Sequence, residues 1–323
     1  MPLPPASRRA PRVSRRACVL AVAALGGTLL QAQESAWPQR SLRLIVPFPP
    51  GGGINTIART IAQRRSERIG QPVLVDNRPG AVGNIGMEAA ARAAPDGYTW
   101  LLTSTVAAIN PSLTRIGFDP LRDLHAVMQV GRMQVFVFGR KDLPASNLGE
   151  LLPWVRSRPG QVSCGSAGGI TRLAAEQLQM RAGVPMIIAE YKGTPLALSD
   201  LAAGHLDLAI GLAGSSAALL AAGRIKAVSS GTQRGGMPGA TTLADFDLEG
   251  WYGVFGPAGV PTELVARLNR ELNVVLLEPE VQQRLHELEV VPAGGSPAHL
   301  AGLLREDTDR FRRIAVAAGL KPE

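Results

Sequence analysis

Three glycine-rich turns hold the residues of this chain best suited to chemistry. In VPFPPGGGIN, residues 46–55, an apolar strand end runs through Pro47 and two further prolines into Gly51, Gly52 and Gly53 and then into a helix. GSAGGIT, residues 165–171, repeats the pattern with Ser166, Gly168 and Gly169 ahead of a helix starting near Thr171. YKGTPLA, residues 191–197, puts Tyr191, Lys192, Gly193 and Thr194 before a third. The start of a helix leaves N–H groups without intrahelical partners and carries a partial positive charge, so several converging on one cleft bind a carboxylate or a phosphate. Glycine lets such an anion reach the backbone, and Asn55 is of the residue type that caps the first helix. Tight packing also places glycine at strand-to-helix turns, so any one of the three is a weak signal alone.

Other chemistries find little support. GGGIN lacks the spacing of a dinucleotide fingerprint, and no Lys-Ser or Lys-Thr follows to make a phosphate loop. His125, His205, His286 and His299 are scattered without metal-ligand spacing, and neither C-x-x-C nor H-E-x-x-H occurs, so no metal and no cofactor is expected. CGSAG around Ser166 has Cys where a nucleophile elbow needs Gly. Asp207 is kept among the candidate ligand contacts, although its place at a strand start also suits capping or a solvated surface. A chain without a triad or a metal reads as a binder. An exported enzyme using Cys164 or Ser166 as nucleophile is the competing reading.

Residues 1–32 read as a signal peptide. Arg8, Arg9, Arg12, Arg15 and Arg16 precede the 14-residue apolar run ACVLAVAALGGTLL, too short to span a membrane, with a cleavage position after Ala32. The pattern suits Sec export and loosely resembles a twin-arginine signal. Five of the charges behind the formal net +8 belong to this leader, leaving +3, so a nucleic-acid partner is not expected. Cys18 is in the leader and Cys164 is the one cysteine after it, which excludes an internal disulfide. Cys164 is read as a reactive thiol or as a small apolar filler at a strand end.

These turns must be positioned by alternating strands and helices. LRLIVPF (42–48), PVLVDN (72–77), YTWLLTS (98–104) and MQVFVFG (133–139) read as buried strands, with Ile57, Ala58, Ile61, Ala62 and Ile69 on one face of the helix after the first. A helix at about 147–157, strands at QVSCGS, MIIAEY, LDLAIGL and IKAVSSG, and helices between them continue the alternation. WYGVFGPAGVP returns to β structure, and helices at 261–277, about 279–288 and 297–318 close the chain as a helix-only tail packed on the first domain. The expectation is an α/β, doubly wound protein of two domains, the first discontinuous, with crossovers near 139 and 251.

RLIVPFPPGGGINTIAR, GQPVLVDNRPGAVGNIGMEAAARAAPDGYTWLL, YKGTPLALSDLAAGHLDL and WYGVFGPAGVPTELVARLN resemble the Bug family, the periplasmic solute-binding proteins of tripartite tricarboxylate transporters. The resemblance runs from about Trp37 to Lys321. It implies a type II periplasmic-binding-protein fold: lobe 1 from 37–139 plus 252–323, lobe 2 from 140–251, with a small carboxylate in the cleft between them and no enzyme activity. Carried onto this chain, it places the ligand among Pro47–Asn55, the TSTVAAIN loop with Thr103, Ser104 and Thr105, the turn Ser166–Gly169 and the turn Tyr191–Gly193, held by backbone amides and water. The implied partners are membrane transporter subunits or a sensor domain, the implied place is the periplasm, and the protein is expected to be a monomer.

Two positions depart from the family pattern: Asn55 stands where Asp is usual, and Arg172 where His is usual. One removes a negative charge and the other adds a positive one near the mouth. They lead to the expectation of a ligand with more negative charge, or one without an ammonium group.

Overall fold

Apolar runs with period two and period 3.6 alternate along the chain, and each becomes an element of one mixed sheet with helices on both faces. The structure, a computed structural model, describes residues 37–212, 215–230, 241–242, 249–288, 290–320 and 322. The leader expected at 1–32 and the Gly- and Pro-rich passage at 231–239 lie outside those residues. Arg40–Glu323 forms a unit of its own.

In the first half of the sheet β1 (Leu42–Val46) pairs in parallel with both β2 (Val73–Asn77) and β3 (Thr99–Ser104). The run LRLIVPF ends as a strand at Val46, because Pro47 has no N–H for the ladder. Helix α1 (Gly53–Ile69) buries Ile54, Ile57, Ala58, Ile61 and Ala62 at helical spacing and stops at Gly70, which adopts the left-handed conformation at φ +66°. Ile69, expected on that face, is only half-buried, while Arg65 is buried and pairs with Glu271 at 3.0 Å. β2 is an edge strand whose Leu74 is exposed, so it is not buried on both faces as its composition suggests. A 3₁₀ turn (Ala81–Gly83), α2 (Asn84–Ala91) and α3 (Val106–Leu113) complete this half.

Helix α4 (Pro120–Asp123) leads into β4 (Leu124–Arg140), far longer than the expected 133–139. Its first part pairs antiparallel with β10 (Glu249–Pro257) and β11 (Val290–Gly294), and its second part, from Val135 on, pairs with β7 (Leu208–Leu212) and β8 (Ile225–Ser230). β11 corrects the expectation of a helix-only tail. Along β4 the side chains alternate: Val135 and Val137 join the large core with Ile45, Leu101, Trp251, Phe255 and Phe311, while Phe136 and Phe138 pack with Ala197, Leu198 and Leu201.

The second half repeats the α/β alternation with α5 (Leu148–Arg156), β5 (Ser163–Ser166), α6 (Gly169–Ala182), β6 (Ile187–Glu190), α7 (Thr194–Ala203) and α8 (Ala217–Ala221). β5 lies between β6 and β7, parallel to both. The short β9 (Thr241–Thr242) pairs with β8. After β10 the helices α9 (Thr262–Leu276), α10 (Pro279–Glu287) and α11 (Pro297–Ala317) return to the first half, where α9 and α10 pack on α1 and α11 packs on α3 and β4. The glycine-rich turns therefore lie at the carboxyl ends of parallel strands, where open α/β sheets hold ligands.

Candidate functional site

Gly52, not Asn55, is the N-cap of α1. Its extended backbone (φ −79°, ψ 165°) makes no side-chain cap, no acidic residue occupies the first turn, and Gly51 at φ +94° needs glycine. Gly51, Gly52 and Gly53 are exposed, so this helix start offers bare N–H groups to solvent. Asn55 sits one turn in and buried, where its Nδ2 donates to Asn77 Oδ1 at 2.9 Å and its Oδ1 accepts from Arg59 Nε at 3.1 Å. Asn77 Nδ2 in turn donates to the Phe48 carbonyl at 2.9 Å, fastening the β1–α1 loop to the end of β2.

Pro47 is buried under the start of α2, and a Cβ on Gly86 would stand 2.7 Å from Pro47 Cα and from the Arg78 carbonyl oxygen. Ala81 and Val82 hold left-handed backbone at φ +47° and +53°, a conformation costly for a β-branched residue. Asn110 holds this turn in place: its Nδ2 donates to the Val82 carbonyl at 3.0 Å and to Asn84 Oδ1 at 2.7 Å, while Asn84 Nδ2 donates to Thr114 Oγ1 at 3.1 Å. Asn77, Asn84 and Thr114 are absent from the sequence-derived site residues. Their signal was the asparagine-rich NRPGAVGN block, whose partners lie up to 30 residues away.

Thr103, Ser104 and Thr105 end β3 and are all buried. Thr105 spends its hydroxyl on the fold, accepting from Trp251 N at 2.7 Å, while its own N–H donates to the Trp251 carbonyl at 3.0 Å. The Thr103 hydroxyl and the Ser166 hydroxyl, both fully buried, have no hydrogen-bond partner among the described residues. The β3–α3 turn and the Ser166–Gly169 turn are neighbours: a Cβ on Gly169 would lie 3.9 Å from Val106 Cγ1, and one on Gly250 would lie 3.3 Å from Thr105 Oγ1 and 3.4 Å from Ile170 Cδ1. The structure thus brings the second glycine-rich turn beside the hydroxyl-rich loop. A cavity of about 470 Å³ lies between β11, the start of β10 and α11; the glycine-turn residues do not line it, but Gly250 and Trp251, which adjoin Thr105, do.

In the second half Gly168 (φ +72°) caps α6 without a side-chain bond, and the helix begins at Gly169 rather than Thr171. Thr171 Oγ1 accepts from Ala167 N at 2.7 Å. Tyr191 N donates to the Ser166 carbonyl at 2.8 Å, joining the second and third turns, and its phenol donates to Asp200 Oδ2 at 2.8 Å. That hydrogen bond, with burial second, raises the phenol above its ordinary range. Gly193 at φ +131° caps α7, and Lys192 is exposed.

Arg172 and Asp207 behave differently from expectation. Arg172 Nε donates to Glu176 Oε1 at 2.7 Å and Nη1 donates to Glu190 Oε1 at 3.0 Å. Burial would lower its basicity, but the hydrogen bonds it donates to Glu190 and Glu176 outweigh it and leave it raised. Its charge is committed to two carboxylates, so it gives the mouth no uncompensated positive charge. Asp207 lies away from the turns: its Oδ2 accepts from Ser163 N at 3.0 Å and Ser163 Oγ at 3.1 Å, and its Oδ1 pairs with Arg140 Nε at 3.2 Å. Ser163 starts β5 and Ser166 ends it, so Asp207 serves the opposite end of the strand from the glycine turn.

Among the described residues no group of three or more His, Cys, Asp and Glu could hold a metal, and no helix is long and apolar enough to cross a membrane. Cys164 and Ser166, the two nucleophile candidates, are fully buried, and burial, with Glu176 adding to it, pushes the Cys164 thiol up to about 12.

A sequence profile of the tripartite tricarboxylate transporter family receptors matches residues 57–320. The chain is 35% identical to a UPF0065 protein from the tcbD-tcbE intergenic region of Pseudomonas sp. strain P51, covering 94% of each chain. Among solved structures it is similar to Rpa4515 of R. palustris with adipate, at 31% identity and a TM-score of 0.75 over 89% of this chain and all of that one. It is likewise similar to the periplasmic binding protein BugD, at 27% identity and a TM-score of 0.74 over 89% of this chain and all of the other. The fold is that of the periplasmic binding proteins, type II, with two α/β lobes and a ligand cleft between them. With the profile spanning most of its length and a relative matched nearly end to end, this chain belongs to the tripartite tricarboxylate transporter receptor family.

Proposed function

We propose that this protein is a periplasmic solute-binding protein that captures a small carboxylate between its lobes and delivers it to a membrane transporter. One observation carries the reading: the helix starts at Gly51–Gly53 and Gly168–Gly169 both lack side-chain caps, and the second abuts the β3–α3 turn across the cleft. Bare N–H groups from two lobes are what an anion bridging them requires. Adipate in the R. palustris relative supports a carboxylate as that anion. We take lobe 1 as 37–139 plus 252–323 and lobe 2 as 140–251, although the change of partners along β4 comes earlier, at Val135. The leader at 1–32 exports the chain, and the buried Cys164 and Ser166 argue against catalysis.

Ligand would bind one lobe, bridge to the other and favour closure through its greater affinity for the closed form. The test is a thermal-shift screen of mono-, di- and tricarboxylates, amino acids and nucleotides, with calorimetry on every hit. Carboxylates alone should raise the melting temperature, since a bound ligand at 100 times Kd stabilises the folded state by about 2.7 kcal/mol. A response confined to nucleotides or inorganic phosphate would leave an anion site and remove the carboxylate reading.

A further inference from the structure

The cavity of about 470 Å³ between β11, the start of β10 and α11 has room for a small molecule, and its wall carries polar groups that the fold leaves unspent. A bulge at Val130, between the pairs Gly131 with Tyr252 and Gln129 with Gly253, interrupts the alternation of β4, and Gln129 and Arg132 both line the cavity. Gln129 is 3% exposed; its Oε1 accepts from His299 Nε2 at 3.2 Å, and its Nε2 has no partner among the described residues. A buried amide left unpaired costs about 1–3 kcal/mol, so an acceptor belongs in the cavity beside it. The guanidinium of Arg132 makes no hydrogen bond among the described residues, its Nε standing 3.7 Å from Glu249 Oε1. Glu306, exposed on α11 at the same cavity, has no partner among the described residues.

Deeper in the wall the charges answer one another: Arg310 Nη2 pairs with Asp307 Oδ1 at 2.8 Å, and Asp307 Oδ2 accepts from Trp251 Nε1 at 2.7 Å. What remains for a ligand is a pair of donors, Gln129 and Arg132, and a carboxylate, Glu306. An acid without an ammonium group satisfies the donors but meets Glu306 and Glu249 with like charge, and an amine without a carboxylate leaves the donors unmet. A molecule that carries both groups satisfies both ends. We propose that this cavity is a second binding site, taking a small zwitterion whose carboxylate rests on Gln129 and Arg132 and whose ammonium group rests on Glu306. The site is lined by none of the glycine-turn residues, so it does not depend on which anion the cleft holds.

The test is heteronuclear NMR on the protein expressed from its full coding sequence, following the indole N–H of Trp251, assigned with Trp251→Phe. The probes are glycine, β-alanine, γ-aminobutyrate and glycylglycine, which step the distance between the two charges, each beside the amine and the acid that lack one of its charged groups. At least one zwitterion should shift that signal with a Kd below about 1 mM. The matching amine and acid should both bind at least about threefold more weakly. Arg132→Gln should weaken the zwitterion about tenfold and Glu306→Gln about threefold, and both should fold normally, since neither side chain is buried. A zwitterion whose affinity neither variant changes is held elsewhere and overturns the proposal. An amine or an acid bound as tightly as the zwitterion overturns it too, as does a Kd above about 1 mM for every probe. A carboxylate found in the thermal-shift screen should keep its affinity in both variants, so failure of the second site leaves the cleft reading standing, and failure of the screen leaves the second site standing.

Discussion

Cys164 on β5 is fully buried and Tyr252 on β10 is half-buried, and both are titratable. Burial pushes the thiol from its ordinary 9.0 and the phenol from its ordinary 10.0, each up to about 12. A raised acid contributes stability that is complete below the unfolded value and is lost as pH climbs to the folded one. From pH 9 to 12 the unfolded chain sheds protons that the folded chain keeps, so unfolding is favoured as pH rises. Replacing Cys164 with Ala should flatten the fall by about 1 kcal/mol per pH unit in that window, read from urea denaturation between pH 8 and 10.5. The absolute stability should drop as well, through the lost sulfur, so the slope is the diagnostic quantity. Parallel slopes in the two proteins would mean that the thiol reaches solvent, and the enzyme reading would regain its nucleophile.

Packing of whole elements explains both what the sequence disclosed and what it hid. Local periodicity located α1, α6, α9 and α11 to within a few residues, and the three glycine turns were visible because glycine there answers to backbone conformation. β4 was cut short because His125, Gln129, Gly131 and Arg132 interrupt its apolar run. Their partners are distant in sequence: His299 meets Gln129 at 3.2 Å, and Gly131 lies under Val290 and Val291 of β11. Asn55 was mistaken for a cap for the same reason, since Asn77 is 22 residues on. Contact between elements also makes two helix glycines respond oppositely to a methyl group. In α2 a Cβ on Gly86 meets backbone of Pro47 and Arg78 at 2.7 Å, whereas in α11 Gly302 has nothing within 4 Å. Gly86→Ala should cost about 1–3 kcal/mol and weaken ligand binding by shifting the Pro47 loop. Gly302→Ala should gain about 0.5–1 kcal/mol with binding unchanged. Denaturation and calorimetry on the pair decide it; a Gly86→Ala protein that matches the native one in both would show that the Pro47 loop is not held by this contact.

At the scale of the molecule, β4 and β10 run antiparallel through the region where partners change, which is where the closure proposed above would be accommodated. Gly250, paired with Met133 on β4, sits at the meeting point: a Cβ on it would approach Met133 Cε at 3.0 Å, Thr105 Oγ1 at 3.3 Å and Ile170 Cδ1 at 3.4 Å. Thr105 belongs to the β3–α3 loop and Ile170 to the first turn of α6, so with the lobe division proposed above a larger side chain here stands between the lobes. The neighbours Met133 and Ile170 end in flexible groups, and one methyl should be absorbed for less than about 1 kcal/mol. Two branches cannot be absorbed in the same way, so Gly250→Val should wedge the lobes apart by pressing on the Ile170 side chain, one residue past the start of α6. Ligand that binds mainly through its preference for the closed form then loses affinity by the share of closure it can no longer drive, about tenfold or more for a closed state destabilised by 1.4 kcal/mol. Small-angle scattering separates this from a damaged site. The native protein should contract when saturated with its best carboxylate, and Gly250→Val should bind the same acid more weakly with little contraction. Equal contraction in both would place the moving contact elsewhere than at Gly250, and weak binding with full contraction would mean that the valine had disturbed the anion site itself.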